Sequence, residues 1–507
     1  MFTDETLETV GTESSWRKSN QSEHDSRGCQ TVPLETAETG AQAVRSSECG
    51  TQTEPEEPLT GQYLPDCGDL PDPPGLMDFL QRVEETVVKE LVKNARSHAF
   101  DGFQVNWEER HDTVSCVHRL HHRDAQDRGL QASCLSWSCT GSVIACGFGR
   151  VDDGDWSTER AFVCTWNLER RGMDPGRPDL VIDTASPVMC LAFHPSQPSR
   201  IAGGLYSGEV VVWDTSRSQD LILAQTGMSE DAHRDPVYQV HWVPAGRRGE
   251  WAVLSGGSGG RVMLWSVGED GRLALSSGYA LLRQQLPHSG TLGKVRGSGC
   301  VGVTSLALSP WDPDVFLVGS EGGLLLKCSF SARTPAATAT RVTSEGEGVA
   351  LLAPARFSFS PRCGPVHTLH CSPFHRNLFL SAGTDGLAHL HSLLQPDPLL
   401  SLRVCDSYVF AVRWSPTRPL LFAAATAQGT VQIFQLDQRS LRPVAAIDQA
   451  TGGRPTYCLE FNPQQPGLLA SGSADGSVHV WRLSAELTEQ EPRETAQLEQ
   501  LANELAE

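Results

Sequence analysis

A three-strand unit recurs along the chain, and no single copy can fold by itself. Its clearest form is residues 455–482, PTYCLEFNPQQPGLLASGSADGSVHVWR. An apolar alternating run, Tyr457, Leu459 and Phe461, stops at Asn462-Pro463. A second run leads into Ser471-Gly472, and the Ala474-Asp475-Gly476 turn launches a third that closes on Trp481. Alternation with a period of two marks half-buried strands, and Gly, Asn and Pro between them mark tight turns. Three short strands leave their apolar faces open to water, so copies must stack on one another.

The other copies are residues 187–214, 236–266, 302–329, 364–392 and 408–435. A further one, disguised by an insertion at Val151–Arg160, runs from Ser133 through Leu135 and Trp137 to Cys164 and Trp166. Each has an apolar strand ending near Pro, a strand of small residues, a Gly turn and a strand that often closes on Trp. The pattern resembles the WD-repeat family, with Trp213-Asp214 its only literal Trp-Asp ending. That resemblance implies an all-β fold, a seven-bladed WD-repeat β-propeller of four-stranded blades around a central channel. Asp385 and Asp475 fall in hairpin turns where WD repeats place an aspartate that holds the blade. Other copies carry Ser, Gly or Gln there, which implies a structural role within an incomplete hydrogen-bond network.

After Trp481 the last copy has no fourth strand of its own. Val114, Cys116 and Val117 alternate with polar neighbours just ahead of the first blade. Residues 112–120 are therefore expected to close the ring and remove a raw sheet edge, making 112–482 the propeller. Longer connections at 267–301 and 330–363 each hold an outer strand, Leu273–Leu282 and Leu351–Phe357, plus a polar loop. Residues 485–507 read as a helical tail with Leu498, Leu501 and Leu505 on one face, either folded back under the propeller or reaching a neighbour.

The 507-residue chain carries a formal charge of −20, spread unevenly. Residues 1–75 hold fifteen acidic and four basic residues, and residues 483–507 hold seven and one. A near-neutral propeller with acidic ends offers no footprint for nucleic acid. No apolar run approaches a membrane span and no signal-peptide order opens the chain, so the reading is a soluble intracellular protein without membrane insertion. The fifteen cysteines are scattered through expected strands and never form a C-x-x-C pair, which suits buried reduced thiols.

Residues 1–75 are poor in large apolar residues and are expected to form a disordered acidic arm. Two islands interrupt it: Cys29-Gln30-Thr31 and Thr51-Gln52-Thr53. The second resembles the anchor of ligands for the hub-type dynein light chain, and the first is a weaker version. An extended peptide pairs with a sheet edge while alternate side chains enter pockets. Gln30 and Gln52 stand 22 positions apart, so dimeric partners engage both with gain from effective concentration.

After Pro71-Asp72-Pro73-Pro74-Gly75, residues 76–96 read as a short amphipathic helix. Leu76, Leu80, Val83, Val87 and Leu91 recur at spacings of four and three, with Phe79 widening the stripe. The stripe either lies on the propeller or docks a partner.

Chemistry-bearing patterns are few. His118, His121 and His122 lack Cys or carboxylates at ligand spacing, so no metal site is expected. His122-Arg123-Asp124 has none of the other elements of a kinase, and Gly147 and Gly149 are followed by no phosphate-loop pattern. No catalytic residue and no cofactor is assigned.

The hairpin Gly203-Gly204-Leu205-Tyr206-Ser207-Gly208-Glu209-Val210-Val211-Val212-Trp213-Asp214 is similar to that of dynein intermediate chains. SHAFDGFQVNW and DGDWSTERAFVCTWNL resemble the branch in cytoplasmic dynein 2, the intraflagellar-transport motor. The resemblance covers 76–482 closely and the arm more loosely. It implies a non-catalytic intermediate chain whose propeller binds the dynein heavy-chain tail, through contact residues that no motif identifies. Residues 27–33 and 48–54 would bind hub-type light chains, the 76–96 helix a roadblock-type light chain, and the shared light chains a second intermediate chain. The implied role is retrograde intraflagellar transport and cilium assembly. The implied location is cytoplasm and cytoskeleton, with the ciliary axoneme and basal body or centrosome. The arm lacks the coiled coil by which intermediate chains of the other cytoplasmic dynein engage dynactin. The alternative is a WD-repeat adaptor, the substrate receptor of a cullin-RING ubiquitin ligase. Its Trp-Asp-x-Arg signature is missed here, since Arg217 falls one position late.

Overall fold

A computed structural model of the chain describes residues 75–95, 113–150, 160–227, 232–246, 249–268, 270–287, 299–337, 349–436, 442–449 and 453–505. They divide into two compact units, the first ending at Phe103 and the second beginning at Gln104. The described part of the first is one helix, α1 (Leu76–Ala95).

The second unit is a seven-bladed propeller. Seven four-stranded antiparallel sheets form it among the described residues. The first strand of each copy packs against its counterparts in the neighbouring blades, giving an inner ring: Gln131–Trp137, Val188–Phe193, Val237–Pro244, Val303–Leu308, Val366–Cys371, Val409–Trp414 and Thr456–Phe461. Blades 1 to 7 are numbered in that order. Blade 7 draws its outer strand from the other end of the chain: Val114–His121 pairs antiparallel with Ser477–Leu483, Val114 opposite Leu483 and Leu120 opposite Val478. Leu120 is fully buried with Val478, Val480 and Ala470, so this pairing carries core as well as backbone hydrogen bonds. A short helix, α2 (Arg123–Asp127), links it to blade 1.

Small residues fill the second strands because large ones close over them. In blade 2 the Trp213 ring lies over Gly203, and a Cβ on Gly204 would sit 2.6 Å from Val237 of the next blade. Between blades, Cys134, Ala145 and Val163 of blade 1 form one buried cluster with Val188, Leu191, Ile201 and Trp213 of blade 2.

Each inner strand slips register near its start. The shift falls between Ala132 and Cys134, Val188 and Cys190, Val237 and Gln239, Val303 and Ser305, Val366 and Thr368, Val409 and Ala411, and Thr456 and Cys458. A bulge leaves one residue unpaired and re-aims its side chain. Those residues are Ser133, Met189, Tyr238, Thr304, His367, Phe410 and Tyr457, and all seven line the channel.

One outer strand differs from the sequence reading. Blade 4 ends on Ala355–Ser358 and not on a strand starting at Leu351. Leu351 and Leu352 are captured by blade 3: Leu352 donates to the Gly278 carbonyl at 3.0 Å and accepts from Ala280 at 2.9 Å. Leu351 is buried with Ala280, Leu282 and Ala336.

The chain ends in α3 (Ala485–Thr488) and α4 (Glu494–Glu504). The tail folds back: Leu498, Leu501 and Ala502 complete a cluster with Leu378 and Leu390 of blade 5 and Trp414, Phe422 and Phe434 of blade 6.

Candidate partner-binding surfaces

The polar groups between strands are mostly pegs that hold blades together. In blade 3 the Ser255 hydroxyl lies 2.8 Å from His233 Nε2 and accepts from Trp265 Nε1 at 2.8 Å. In blade 7 the Ser471 hydroxyl accepts from Trp481 Nε1 at 2.8 Å, while Gln449 takes the place of the histidine and donates to the Ser471 carbonyl at 3.2 Å. Blade 5 rebuilds the device with other residues. Arg362 donates to the Ser381 hydroxyl at 2.7 Å, to the Leu387 carbonyl at 2.6 Å and to Asp385, and His391 Nε2 lies 2.9 Å from Ser381 Oγ. Asp475 accepts from the Ser477 amide at 2.9 Å and from its hydroxyl at 2.5 Å. Both aspartates thus fix hairpins.

Burial keeps the histidines within the blades neutral. The His233 imidazole is driven down to about 3 by burial, with Arg261 adding to it, and His479 to about 4 by burial, with Arg119 adding and Asp475 opposing. The His118, His121 and His122 group contributes one helix cap, His122 Nδ1 accepting from the Ala125 amide at 3.3 Å. Among the described residues no cluster of His, Cys, Asp or Glu is arranged to hold a metal ion. The described cysteines are free thiols, and burial pushes Cys134 and Cys371 up to about 12.

The channel is a cavity of about 1400 Å³ walled by the inner strands. In its wall, Arg413 donates to Thr368 Oγ1 at 3.1 Å and to the Val412 carbonyl at 2.9 Å. Burial pushes the Glu460 carboxyl up to about 7 against the pull of Arg413. Burial, reinforced by Arg413, lowers His241 to about 4 and His370 to about 3. At one mouth the bulged residues form a ring wall: His367 lies 5.2 Å from Phe410, and Phe410 meets Tyr457 edge-on at 5.0 Å. Sequence reasoning missed this surface, although the position is regular: the residue after the valine in PVMC, PVYQ, GVTS, PVHT and YVFA.

Helix α1 presents apolar side chains to solvent. Phe79, Leu80, Val87 and Leu91 are exposed, with Leu91 at 61%, and Leu76 and Val83 are half-buried. Met77, Val88 and Val92 are exposed as well and make the stripe broader than the sequence reading had it. Lys93 pairs with Glu90 at 3.1 Å on the polar side. The arm motifs, Cys29, Gln30 and Thr31 and Thr51, Gln52 and Thr53, lie outside the described residues. Among the described residues no helix is long and apolar enough to cross a membrane.

Comparison with known proteins fits this geometry. A family profile described as "Dynein axonemal intermediate chain 3 WD40 domain" matches residues 157–245, and one described as "WD domain, G-beta repeat" matches 226–266 and 447–482. The chain is 51% identical to "Cytoplasmic dynein 2 intermediate chain 2" of Mus musculus over 505 residues, 99% of this chain and 92% of that protein. It is 50% identical to the Homo sapiens protein of that name over the same span. "Cytoplasmic dynein 1 intermediate chain" of Drosophila melanogaster is 26% identical over 352 residues, 68% of this chain and 47% of that protein. The similarity to the first two runs through arm, helix and propeller alike, and the chain belongs to the dynein intermediate chains, non-catalytic structural subunits, in the branch of cytoplasmic dynein 2.

Proposed function

We propose that the chain joins the heavy chain of cytoplasmic dynein 2 to its light chains, with a separate element for each task. The propeller binds the heavy-chain tail. The arm residues Cys29, Gln30, Thr31, Thr51, Gln52 and Thr53 bind hub-type light chains by strand addition. Helix α1 offers Leu76, Phe79, Leu80, Val83, Val87 and Leu91 to a roadblock-type light chain, as an amphipathic helix fits an apolar groove. Light chains that are dimeric bring in a second intermediate chain. The assembled motor serves retrograde intraflagellar transport and cilium assembly, and the chain resides in the cytoplasm and cytoskeleton, at the ciliary axoneme and at the basal body or centrosome.

The observation that carries this reading is the extent of the likeness, 505 residues, which includes the arm and helix as well as the blades. A propeller alone would not support it, because that fold serves many functions. The exposed stripe on α1 adds support, since large contiguous apolar surface marks interaction sites.

The test is purification of the tagged chain from ciliated cells beside a Gln30→Ala/Gln52→Ala version, with partners identified by mass spectrometry. Heavy chain with both forms, and hub-type light chain with the wild type only, is the expected result. Equal recovery of light chain would remove the arm motifs from the account.

A further inference from the structure

The seven bulged residues at the channel mouth are not equivalent. Ser133 donates to the Val188 carbonyl of the next blade at 2.6 Å, and Thr304 does the same to Val366 at 2.6 Å, so their hydroxyls are committed to blade packing. Four others, Tyr238, His367, Phe410 and Tyr457, are rings. Tyr408, 6.2 Å from Phe410, extends that wall outward and is 50% exposed.

Blades 3 and 4 add two exposed carboxylates to the cavity wall, Asp235 and Glu321. A Cβ built on Gly259 would meet Asp235 Oδ2 at 2.5 Å. One built on Gly302 would meet Glu321 Oε2 at 3.0 Å and the Ser258 carbonyl at 2.7 Å. Asp235 and Glu321 therefore flank a single turn, Ser258-Gly259. Tyr206 and Glu321 both lie near enough to Tyr238 to act on its phenol, beside the larger effect of burial.

The charges lining the cavity do not balance. Among the described residues in its wall are three carboxylates, Asp235, Glu321 and Glu460, and one guanidinium, Arg413. Arg413 and Glu460 offset each other within the channel. Asp235 and Glu321 make no ion pair with the described residues and are left facing the mouth. Carboxylates set among aromatic faces in a concave site attract a cation by charge and by the ring quadrupole together. Aromatic anchors are also what protein interfaces enrich. The volume exceeds what one side chain fills and suits a short stretch of chain. The protein's own arm is a poor occupant, with fifteen acidic residues against four basic ones.

We infer that this mouth, framed by Tyr206, Asp235, Tyr238, Glu321, Phe410 and Tyr457, is a docking site for an arginine- or lysine-bearing peptide segment of a partner protein. The cation enters between Tyr238, Asp235 and Glu321, and the flanking residues lie along the rings of blades 5 to 7. The inference does not depend on the motor reading.

The probe is a short photoreactive peptide with three arginines, compared with its citrulline counterpart, which keeps the length and planar shape of the side chain but loses its charge and exchanges one donor nitrogen for a carbonyl oxygen. Both are cross-linked to the full-length chain and the labelled residues are mapped by mass spectrometry. The expected result is labelling around 235–239 and 320–322, weaker by about tenfold for the citrulline peptide and for the Asp235→Asn/Glu321→Gln variant. Both substitutions are on exposed side chains and are checked by an unchanged melting temperature. Labelling confined to the acidic arm, or labelling at the mouth equal for the two peptides, would overturn it.

Discussion

Arg418 of blade 6 grips Glu494, the first residue of α4, with two donors on one carboxylate oxygen: Nε at 3.0 Å and Nη2 at 2.7 Å. Their side chains are 3% and 1% exposed. Arg418 also reaches Glu491 at 3.3 Å and the Glu486 carbonyl, so one guanidinium ties both C-terminal helices to the propeller. A buried charge left without its partner is strongly destabilising, by about 3–5 kcal/mol. Glu494→Ala is expected to lower unfolding free energy by that order and to open 485–505 to proteolysis. Chemical denaturation and limited proteolysis measure the two effects. A variant as stable and as resistant as wild type would show the latch to be unimportant.

The strand Val114–His121 makes the propeller's closure depend on both ends of the chain. Leu120 is its one fully buried side chain, and large-to-small changes at such sites cost about 2–5 kcal/mol. Leu120→Ala should lower the melting temperature, and truncation beyond His121 should prevent cooperative unfolding. Truncation before residue 112 should leave the transition sharp. Calorimetry of the three forms is the check.

Two kinds of buried group give stability opposite pH dependences. His233 and His370 lie near 3 and His241 and His479 near 4 when folded, against an ordinary value of 6.5. The unfolded chain binds more protons there, so the stability they contribute is complete above 6.5 and is lost as pH falls from there through about 4 for His241 and His479 and about 3 for His233 and His370. Glu460 runs the other way. Its folded value of about 7 lies above the ordinary 4.5, so the folded chain binds more protons between them and stability falls as pH rises through that window. Glu460→Gln should therefore raise the melting temperature at pH 8 and leave the acid limb unchanged. A lower value at pH 8 would mean that the Arg413 attraction outweighs burial.

Helix α1 separates binding from stability. Leu80 and Val87 are already exposed, so aspartate at both positions should leave the propeller's melting transition where it is. The same change should abolish recovery of the roadblock-type light chain while retaining the heavy chain. Retention of the light chain would assign its site elsewhere.

The repeats were legible because each copy had to alternate apolar residues and end in a turn, whatever its exact letters. What the sequence hid were features that depend on a neighbour. Leu351 belongs by pattern to the strand that follows it, yet the open backbone at Gly278 of blade 3 draws it away. Leu498 and Leu501 announced an apolar helical face, but not that blades 5 and 6 would cover it. Arg362 sits in an ordinary-looking connection, and its role as a peg emerges only when Ser381 and Asp385 come beside it. The channel mouth was hidden for another reason: a bulge turns one residue out of the alternation, so its side chain breaks the very pattern by which strands are found.

Division of labour between arm and propeller is tested most directly by dividing the chain. Residues 1–96 and residues 112–507, each tagged and purified from ciliated cells, should recover different partners: light chains with the first, dynein 2 heavy chain with the second. Heavy chain recovered with residues 1–96, or ubiquitin-ligase subunits and no heavy chain with residues 112–507, would contradict the account.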